Sequence, residues 1–97
     1  MAGYLIANIK VTDPEGFARY RAAAPEVIAR HGGRYLIRGG DMERLENADG
    51  FNRVVVLEFP SIEAARAFYV SADYAPLLKM RADSTVSQVV LVDGYGG

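Results

Sequence analysis

The chain has 97 residues, of which 51% are hydrophobic and 24% are charged, which is the composition of one globular domain spanning residues 1–97. Its formal net charge of −1 comes from interspersed acidic and basic residues without a basic run, so neither nucleic acid nor an anionic membrane is expected as a partner. The absence of cysteine excludes disulfides, thiolate nucleophiles and cysteine-based zinc or iron–sulfur sites.

The first predicted element is a β-strand over residues 4–11, where two kinds of position alternate with the period of a strand. One face of this strand is aliphatic. The other face is mixed and carries Asn8 near its middle. The aliphatic face consists of Leu5, Ala7, Ile9 and Val11.

A helix is predicted next, beginning at the sequence Thr-Asp-Pro-Glu of residues 12–15. Asp13 can cap free N–H groups, while proline and glutamate suit the first helical turn. Pro25 lies inside the helical pattern and removes a backbone donor, so we predict a break near residues 22–24. The inward face of the helix is predicted to consist of Phe17, Tyr20, Ala24, Val27, Ile28 and His31.

A short central strand is predicted to begin at about Arg34. The preceding pair Gly32-Gly33 suits the end of a helix, because glycine adopts the left-handed C-cap conformation without a Cβ penalty. Alternation within the strand separates an apolar face from a charged one. It assigns Tyr35 and Ile37 to the first face, and Arg34, Leu36 and Arg38 to the second.

A second glycine pair, Gly39-Gly40, follows this strand and predicts a bulge or bend, after which pairing continues through Asp41 to Glu46. Glycine pairs also occur in phosphate-binding loops. Here no GxGxxG or GxxxxGK[ST] is present, and neither pair is placed to open a helix after a strand. Structural roles as cap and bulge are therefore preferred to nucleotide binding.

The second half of the chain is predicted to contain two strands and a helical region in two pieces. Residues 47–50 supply a turn, and residues 52–59 return as a third strand in a hairpin. Ser61 is the predicted N-cap of the next helix, and Ser71 begins a second capped piece. β-Branched residues predict the last strand over residues 84–92.

This element order, β-α-β-β-α-β, predicts an α+β ferredoxin-like sandwich, in which a four-stranded antiparallel sheet carries helices on one face. The other face of the sheet is too apolar to remain in water, so we predict a homodimer through the sheet faces. On that open face we expect the apolar residues Tyr4, Ile6, Leu36, Val54 and Val56 and the polar residues Asn8, Arg38 and Glu58.

The cellular compartment is predicted from the lack of targeting signals. The first residues enter a strand pattern without a charged segment before a long apolar run, and the longest aliphatic run, Val54 to Leu57, is too short to span a bilayer. We therefore expect a cytoplasmic protein.

Several short motifs together resemble the DUF1330 family of the dimeric α/β-barrel superfamily. They are Thr-Asp-Pro-Glu at 12–15, the spacing of Tyr20 and Pro25, His-Gly-Gly-Arg-Tyr-Leu-Ile-Arg-Gly-Gly at 31–40, Glu-Phe-Pro-Ser at 58–61, and Tyr69, Ser71 and Tyr74. The resemblance covers nearly the whole chain and implies the dimeric barrel fold. It implies no activity, because the family is named for its unknown function.

The superfamily includes cofactor-independent monooxygenases of polycyclic aromatics, haem-degrading oxygenases, small isomerases and proteins without known activity, so the fold alone does not choose a function. The haem-degrading members use a strand-borne asparagine, a tryptophan and a histidine from the second half of the chain. Asn8 matches the first, but the chain has no tryptophan, and its one histidine, His31, ends the first helix. No cofactor is expected.

The candidate catalytic residues are Arg38, Glu58 and His31. Arg38 and Glu58 lie on strands joined by one hairpin, and we predict that they are close enough to form an ion pair or to share a ligand. His31 is a candidate general base, because histidine is the residue type most often used in that role, but a histidine in the last turn of a helix is also favourable for the helix dipole alone. A lone histidine without a second ligand at metal-binding spacing predicts no metal site.

The candidate substrate-binding residues are Asn8, Tyr20, Tyr69 and Tyr74, because phenol rings can pack on a flat ligand and orient it. Aromatic residues at helical spacing are also ordinary core residues. Two functional hypotheses follow. One is a cofactor-independent oxygenase or isomerase acting on a small apolar or aromatic molecule, and the alternative is a non-catalytic dimeric protein with a binding or structural role.

Overall fold

The computed structural model describes residues 1–96, which form an α+β ferredoxin-like fold. The four strands make one sheet in the order β2-β3-β1-β4, and every neighbouring pair is antiparallel. The predicted β-α-β-β-α-β order is confirmed, with the second helical region divided in two. The elements are β1 (Gly3–Val11), α1 (Pro14–Arg30), β2 (Arg34–Arg38), β3 (Arg53–Phe59), α2 (Ile62–Tyr69), α3 (Ala75–Ser84) and β4 (Thr85–Asp93).

The core lies between the helices and one face of the sheet. Alternate residues of the two central strands face it, as their alternation predicts: Gly3, Leu5, Ala7 and Ile9 of β1 and Leu57 and Phe59 of β3 are buried, and Val55 is half-buried. Phe59 and Phe68 are almost fully buried, and their ring centroids are 5.1 Å apart. The buried apolar set comprises Leu5, Ala7, Ile9, Phe17, Ala24, Val27, Ile28, Leu57, Phe59, Ala65, Phe68, Tyr74 and Leu77.

The predicted break in the first helix is wrong, because α1 runs without interruption from Pro14 to Arg30 and includes Pro25. Proline lacks the N–H that would bond the carbonyl four residues earlier, which here belongs to Arg21. Arg38 supplies the missing donor, since its Nη2 lies 2.6 Å from the Arg21 carbonyl oxygen. A charged side chain from the sheet thus satisfies the carbonyl that Pro25 leaves free.

The two ends of α1 differ in how well they match the sequence. Asp13 precedes the helix, with proline in the first turn, but its side chain makes no capping hydrogen bond. The C-terminal end is as predicted, with Gly32 at a φ of 80° and the N–H of Gly33 donating to the Ile28 carbonyl over 3.0 Å. This closure turns the chain directly into β2.

The face assignment of Arg38 is wrong because β2 contains a β-bulge. Tyr35 pairs with Leu57, but Ile37 pairs with Val56, which leaves Leu36 without a partner. Residues beyond the bulge therefore exchange faces, and Arg38 lies opposite Val55 on the side that the helices cover. Ile37 lies on the open side instead.

The β2–β3 connection is longer than predicted. Asp41 to Glu46 form no strand, so the expected continuation of pairing is wrong, and residues 39–52 make a loop. The predicted turn at residues 47–50 is present, with the N–H of Phe51 donating to the Ala48 carbonyl over 3.1 Å. Asn8 anchors the loop, since its side chain donates to the Gly50 carbonyl and accepts from the N–H of Asn52, both at 2.8 Å.

Both predicted serine caps are present in the second helical region. The Ser61 hydroxyl accepts from the N–H of Ala64 at the start of α2 over 3.1 Å. The Ser71 hydroxyl accepts from the N–H of Tyr74 just before α3 over 3.2 Å. The second cap turns the chain so that Tyr74 enters the core between the helices and the sheet.

None of the helices within residues 1–96 has the length and apolar character that crossing a membrane requires.

The packing of α2 on β1 depends on the small size of Gly3, and this gives a test of the fold. A Cβ built at Gly3 would overlap the backbone of Ile62, which cannot move without displacing the start of α2. We expect Gly3→Ala to lower the free energy of unfolding by about 1–3 kcal/mol in urea denaturation. Gly40→Ala is the matched control, because no atom lies within 4 Å of a Cβ there. Equal stability of the two variants would contradict this close approach.

Candidate functional site

A small cavity lies between α1, α3 and the sheet, at the side where β2 and β3 lie. Its volume is about 30 Å³, which is room for a water molecule and not for an aromatic ring. Its apolar wall comes from the inward residues of the sheet and from Ile28. The hydrogen-bonding side chains around it are Tyr20, Tyr35, Tyr69, Tyr74 and Arg81.

The tyrosines form a buried polar network inside this otherwise apolar cavity. The hydroxyls of Tyr20 and Tyr74 lie 2.8 Å apart, and Arg81 Nη2 donates to the Tyr69 hydroxyl over 3.3 Å. Burial raises the pKa of Tyr20 far above its ordinary value of 10.0, and the neighbouring Tyr74 raises it further. The Tyr20 phenol therefore acts as a neutral hydrogen-bonding group.

Arg81 is a buried cation in this network. Its exposed fraction is 7%, and within residues 1–96 no carboxylate lies within ion-pair distance of it. Burial alone would lower the pKa of Arg81, but Tyr74, Tyr20 and Tyr69 hold that pKa above its ordinary value. The inner end of the cavity is therefore positively charged and offers donors to an oxygen atom.

Three further arginines stand at the mouth of the cavity, beside an outer groove of about 560 Å³. Arg21, Arg38, Arg53 and Phe17 line both spaces, so they form the wall between the cavity and the groove. Two of the guanidinium groups stack on aromatic rings. The Arg38 Cζ lies 4.5 Å from the centre of the Tyr35 ring, and the Arg53 Cζ lies 5.4 Å from that of Phe17.

Positive charge is concentrated at this wall. In the part of the chain that the structure describes, the three ion pairs involve other residues, and none includes Arg21, Arg38 or Arg53. Partial burial lowers the pKa of Arg53, and the charges of Arg21 and Arg38 lower it further. The three guanidinium groups therefore repel one another, and a bound anion would reduce that repulsion.

Four of the candidate residues are brought together at this site. Tyr20, Tyr69 and Tyr74 line the cavity, as expected for a common pocket, and Arg38 stands at its mouth. Their roles in binding remain predictions.

The expected pairing of Arg38 with Glu58 is wrong, because the strand register pairs Arg34 with Glu58 and the bulge turns Arg38 to the other face, opposite Val55. Arg34 Nε and Nη2 both contact Glu58 Oε1 at 2.7 Å, and the Tyr4 hydroxyl donates to Oε2 over 3.0 Å. This group of three lies on the open face of the sheet, which the helices do not cover. Glu58 is therefore separated from the cavity by the sheet.

His31 and Asn8 also lie outside the cavity lining. His31 follows the last turn of α1, where its Nε2 contacts Asp73 Oδ2 at 3.1 Å and its ring packs edge-on against Phe68. Asn8 bonds to loop 39–52 and to Gln88 on the open face. Both side chains thus have structural partners where they lie.

Sequence reasoning missed Arg21, Arg53, Arg81 and Tyr35 as site residues. Arg53 did carry a signal, since it shares the strand parity of Val55 and Leu57 and so belongs to the helix-facing side. Arg21 also carried one, because it lies four residues before a proline inside a helix. Nothing in the sequence marked Arg81 as buried beneath tyrosines.

The family assignment follows from the sequence match. Residues 2–95 match the family described as a domain of unknown function, DUF1330. The chain belongs to the DUF1330 family. No match was found among curated proteins.

Solved structures with the same fold are distant in sequence from this DUF1330 protein. A protein of unknown function from Rhodopseudomonas palustris is 17% identical over 99% of this chain and 84% of its own, with a TM-score of 0.74. A dimeric ferredoxin-like protein of unknown function from Jannaschia sp. CCS1 is 12% identical over 97% of this chain and 100% of its own, with a TM-score of 0.69. SnoaB, a cofactor-independent oxygenase from Streptomyces nogalater, is 15% identical over 99% of this chain and 95% of its own, with a TM-score of 0.65. At these identities the likeness establishes the fold alone.

The contacts of Glu58 on the open face predict a pH dependence of stability. Hydrogen bonds from Arg34 and then from Tyr4 lower the pKa of the Glu58 carboxyl below its ordinary value of 4.5. A lowered pKa in the folded state stabilises the protein above the ordinary pKa, and this stabilisation is lost as the pH falls through the folded-state value. We expect Glu58→Gln to destabilise the protein more at about pH 7 than at about pH 3 in urea denaturation. The same comparison in an Arg34→Met background should show a smaller pH effect, and an unchanged effect would contradict the assignment.

Proposed function

We propose that this DUF1330 protein is a homodimer that binds a small planar organic molecule at the cleft formed by the outer groove and the inner cavity. One observation carries the proposal: Phe17, Arg21, Arg38 and Arg53 line both spaces, so a ligand in the groove would contact the wall of the tyrosine-lined cavity. The groove supplies the volume and the cavity supplies the hydrogen-bonding groups. In this proposal, Arg38 contacts the ligand directly, and Tyr20, Tyr69 and Tyr74 bind it through a water molecule in the cavity.

The volumes of the two spaces favour binding that begins in the groove. A cavity of about 30 Å³ admits water, whereas a groove of about 560 Å³ is within the range of small-molecule sites. Phe17 separates them and stacks on Tyr20 with a centroid distance of 5.9 Å. Phe17 is 8% exposed and carries the Arg53 guanidinium over its ring. A flat ligand lying in the groove would therefore contact Arg53 and the small exposed part of Phe17. The apolar floor of the groove is formed by Val11, Pro14, Ala18 and Ala22.

Catalysis at the same cleft is the second candidate, as a cofactor-independent oxygenase or isomerase acting on a small aromatic molecule. The buried donors favour it, because Arg81 and the tyrosine hydroxyls are suited to stabilising negative charge on a substrate oxygen. SnoaB, with the same fold, is described as a cofactor-independent oxygenase. The side chains that line the cavity are cationic or neutral and supply no carboxylate as a base. The substrate would therefore have to lose its proton readily. Glu58 and His31 are not assigned a role in this cleft.

The homodimer is proposed from the open face of the sheet. Large apolar side chains remain exposed there at both edges, including Leu36 and Ile37 on β2 and Val86, Val90 and Val92 on β4. Exposed apolar area of this kind is typical of an interaction surface, and a second copy would cover it by a twofold axis. The Jannaschia protein is described as dimeric, which supports the proposal. The ion pair of Arg34 and Glu58 would then lie within the interface.

Replacing Val90 by aspartate tests the dimer. Val90 is 54% exposed and lies opposite Ile6 on the open face, so a charge there is tolerated in a monomer and costly in a packed interface. We expect light scattering to give a dimer for the native protein and a monomer for Val90→Asp at micromolar concentration. Val70→Asp is the control, since Val70 is 74% exposed at the end of α2, away from the sheet. A native monomer, or a dimer that Val90→Asp leaves intact, would refute the interface.

Blocking the groove tests the ligand site. Benzamide and benzoate are suitable planar probes, with binding measured by chemical-shift titration. Ala18 is exposed on α1 and lines the groove, so we expect Ala18→Trp to weaken binding of both probes about tenfold or more by filling that space. Ala29→Trp carries the same change on an exposed part of α1 outside the groove lining and should bind as the native protein does. Absence of binding to the native protein, or equal weakening in both variants, would refute the site.

A further inference from the structure

The arginine cluster at the mouth of the cleft indicates what kind of ligand the cleft takes. We propose that Arg21, Arg38 and Arg53 form a carboxylate-binding subsite, so that the ligand is a planar organic acid whose carboxylate lies at this cluster. The inference rests on the proposed function, because it names the ligand class of the same cleft. Four observations carry it.

The first observation is uncompensated charge. The three guanidinium groups line one groove, and within residues 1–96 no carboxylate forms an ion pair with any of them. Like charges placed together without counter-charge destabilise the fold unless an anion joins them. The arrangement is therefore more favourable with a bound anion than without one. Acidic side chains were available elsewhere, since Arg34 and Lys79 both have carboxylate partners.

The second observation is an unused donor. The Nε of Arg53 is buried and has no hydrogen-bond partner among the described residues. A buried donor without an acceptor is costly, and such groups occur where a ligand or water completes the bonding. Arginine presents its donors as a planar fork that matches the two oxygens of a carboxylate. The Arg53 guanidinium thus keeps hydrogen-bonding capacity that the described residues do not use.

The third observation is that the two strand-borne guanidinium groups are held in place before any ligand binds. Arg38 Nη2 is fixed by the Arg21 carbonyl that Pro25 leaves free, and Arg53 Nη2 reaches the Arg38 carbonyl at 3.4 Å. Gly39 leaves room for the Arg53 group, because a Cβ at that position would overlap it. Held side chains lose less entropy on binding than free ones, which favours affinity for a small anion.

The fourth observation is the chemistry of the groove around the arginines, which favours a planar acid over a bare inorganic anion. Phe17 packs beneath Arg53, and Ala18 and Ala22 complete an apolar surface. An aromatic or conjugated acid would place its ring on this surface and its carboxylate at the guanidinium groups. A fully hydrated ion would gain nothing from the apolar part.

Comparing benzoate with benzamide isolates the carboxylate, because the two molecules differ only in the group that would meet the arginines. We expect the native protein to bind benzoate about tenfold or more tightly than benzamide at low salt, and the difference to shrink as salt is added. Arg53→Met should reduce the preference for benzoate to about twofold or less, measured as the ratio of the two affinities for the same variant. Arg21→Met, at an exposed position, should also reduce the preference for benzoate. It replaces Arg53→Met in the test if that variant does not fold.

Arg19→Met is the matched control, since Arg19 is an exposed arginine on α1 that does not line the groove. It should keep the native preference for benzoate. Equal affinities of the two probes for the native protein, or an unchanged preference in both Arg53→Met and Arg21→Met, would overturn the carboxylate subsite. If benzamide still binds in either of these outcomes, the carboxylate subsite fails and the proposed small-molecule site does not. Failure of the subsite is therefore distinguishable from failure of the proposed function.

A second readout does not depend on the planar part of the ligand. Acetate should shift the Nε–H resonance of Arg53 saturably in nuclear magnetic resonance, and acetamide should not. If acetate shifts this resonance while neither aromatic probe binds, the carboxylate subsite holds and the planar-ligand proposal fails. If acetate leaves the resonance unchanged at saturating concentration, the subsite is refuted.

Discussion

The carbonyl oxygen of Arg21 is the point on which the architecture of the cleft depends. Pro25 removes its backbone donor, and the Arg38 guanidinium replaces that donor at 2.6 Å. This single hydrogen bond joins the middle of α1 to the edge strand β2, and it does so with a charged group. The helix keeps its length through the proline because the partner that the backbone lost is supplied by the sheet. A structural irregularity in the helix thus positions a cation at the mouth of the cavity.

The β-bulge at Leu36 is the second condition for this arrangement. Without the extra residue, strict alternation would place Arg38 with Arg34 on the open face. With it, the two arginines of β2 separate, one to each side of the sheet. Arg34 neutralises Glu58 on the open face, and Arg38 joins Arg21 and Arg53 at the cleft. Glu58, the one acidic residue of β3, lies on the open face and pairs with Arg34. This strand therefore supplies no carboxylate to the cleft, which remains cationic.

The sequence predicted the fold well and the site only partly, for identifiable physical reasons. Alternation in β1 and β3, the glycine end of α1 and the two serine caps are local signals, and each was confirmed. The bulge and the continuity of α1 depend on contacts between elements distant in sequence, so local patterns gave the wrong face for Arg38 and a break at Pro25 that does not occur. Tyr20, Tyr69 and Tyr74 were grouped correctly because aromatic residues at helical spacing face the core. Arg81 was missed because arginine is rarely buried, and only the tyrosines around it make its burial possible.

The two proposed surfaces of the molecule are connected through β2. Residues Leu36 and Ile37 lie on the open face, in a groove that also includes Arg38. A second copy packed on that face would bury Ile37 and hold the bulge in its present register, and the bulge decides on which side Arg38 lies. Dimerisation and anion binding would therefore favour the same local conformation of β2. A partner subunit and an anion that stabilise the same conformation each raise the affinity for the other. The carboxylate site and the dimer interface are therefore expected to be thermodynamically linked through β2.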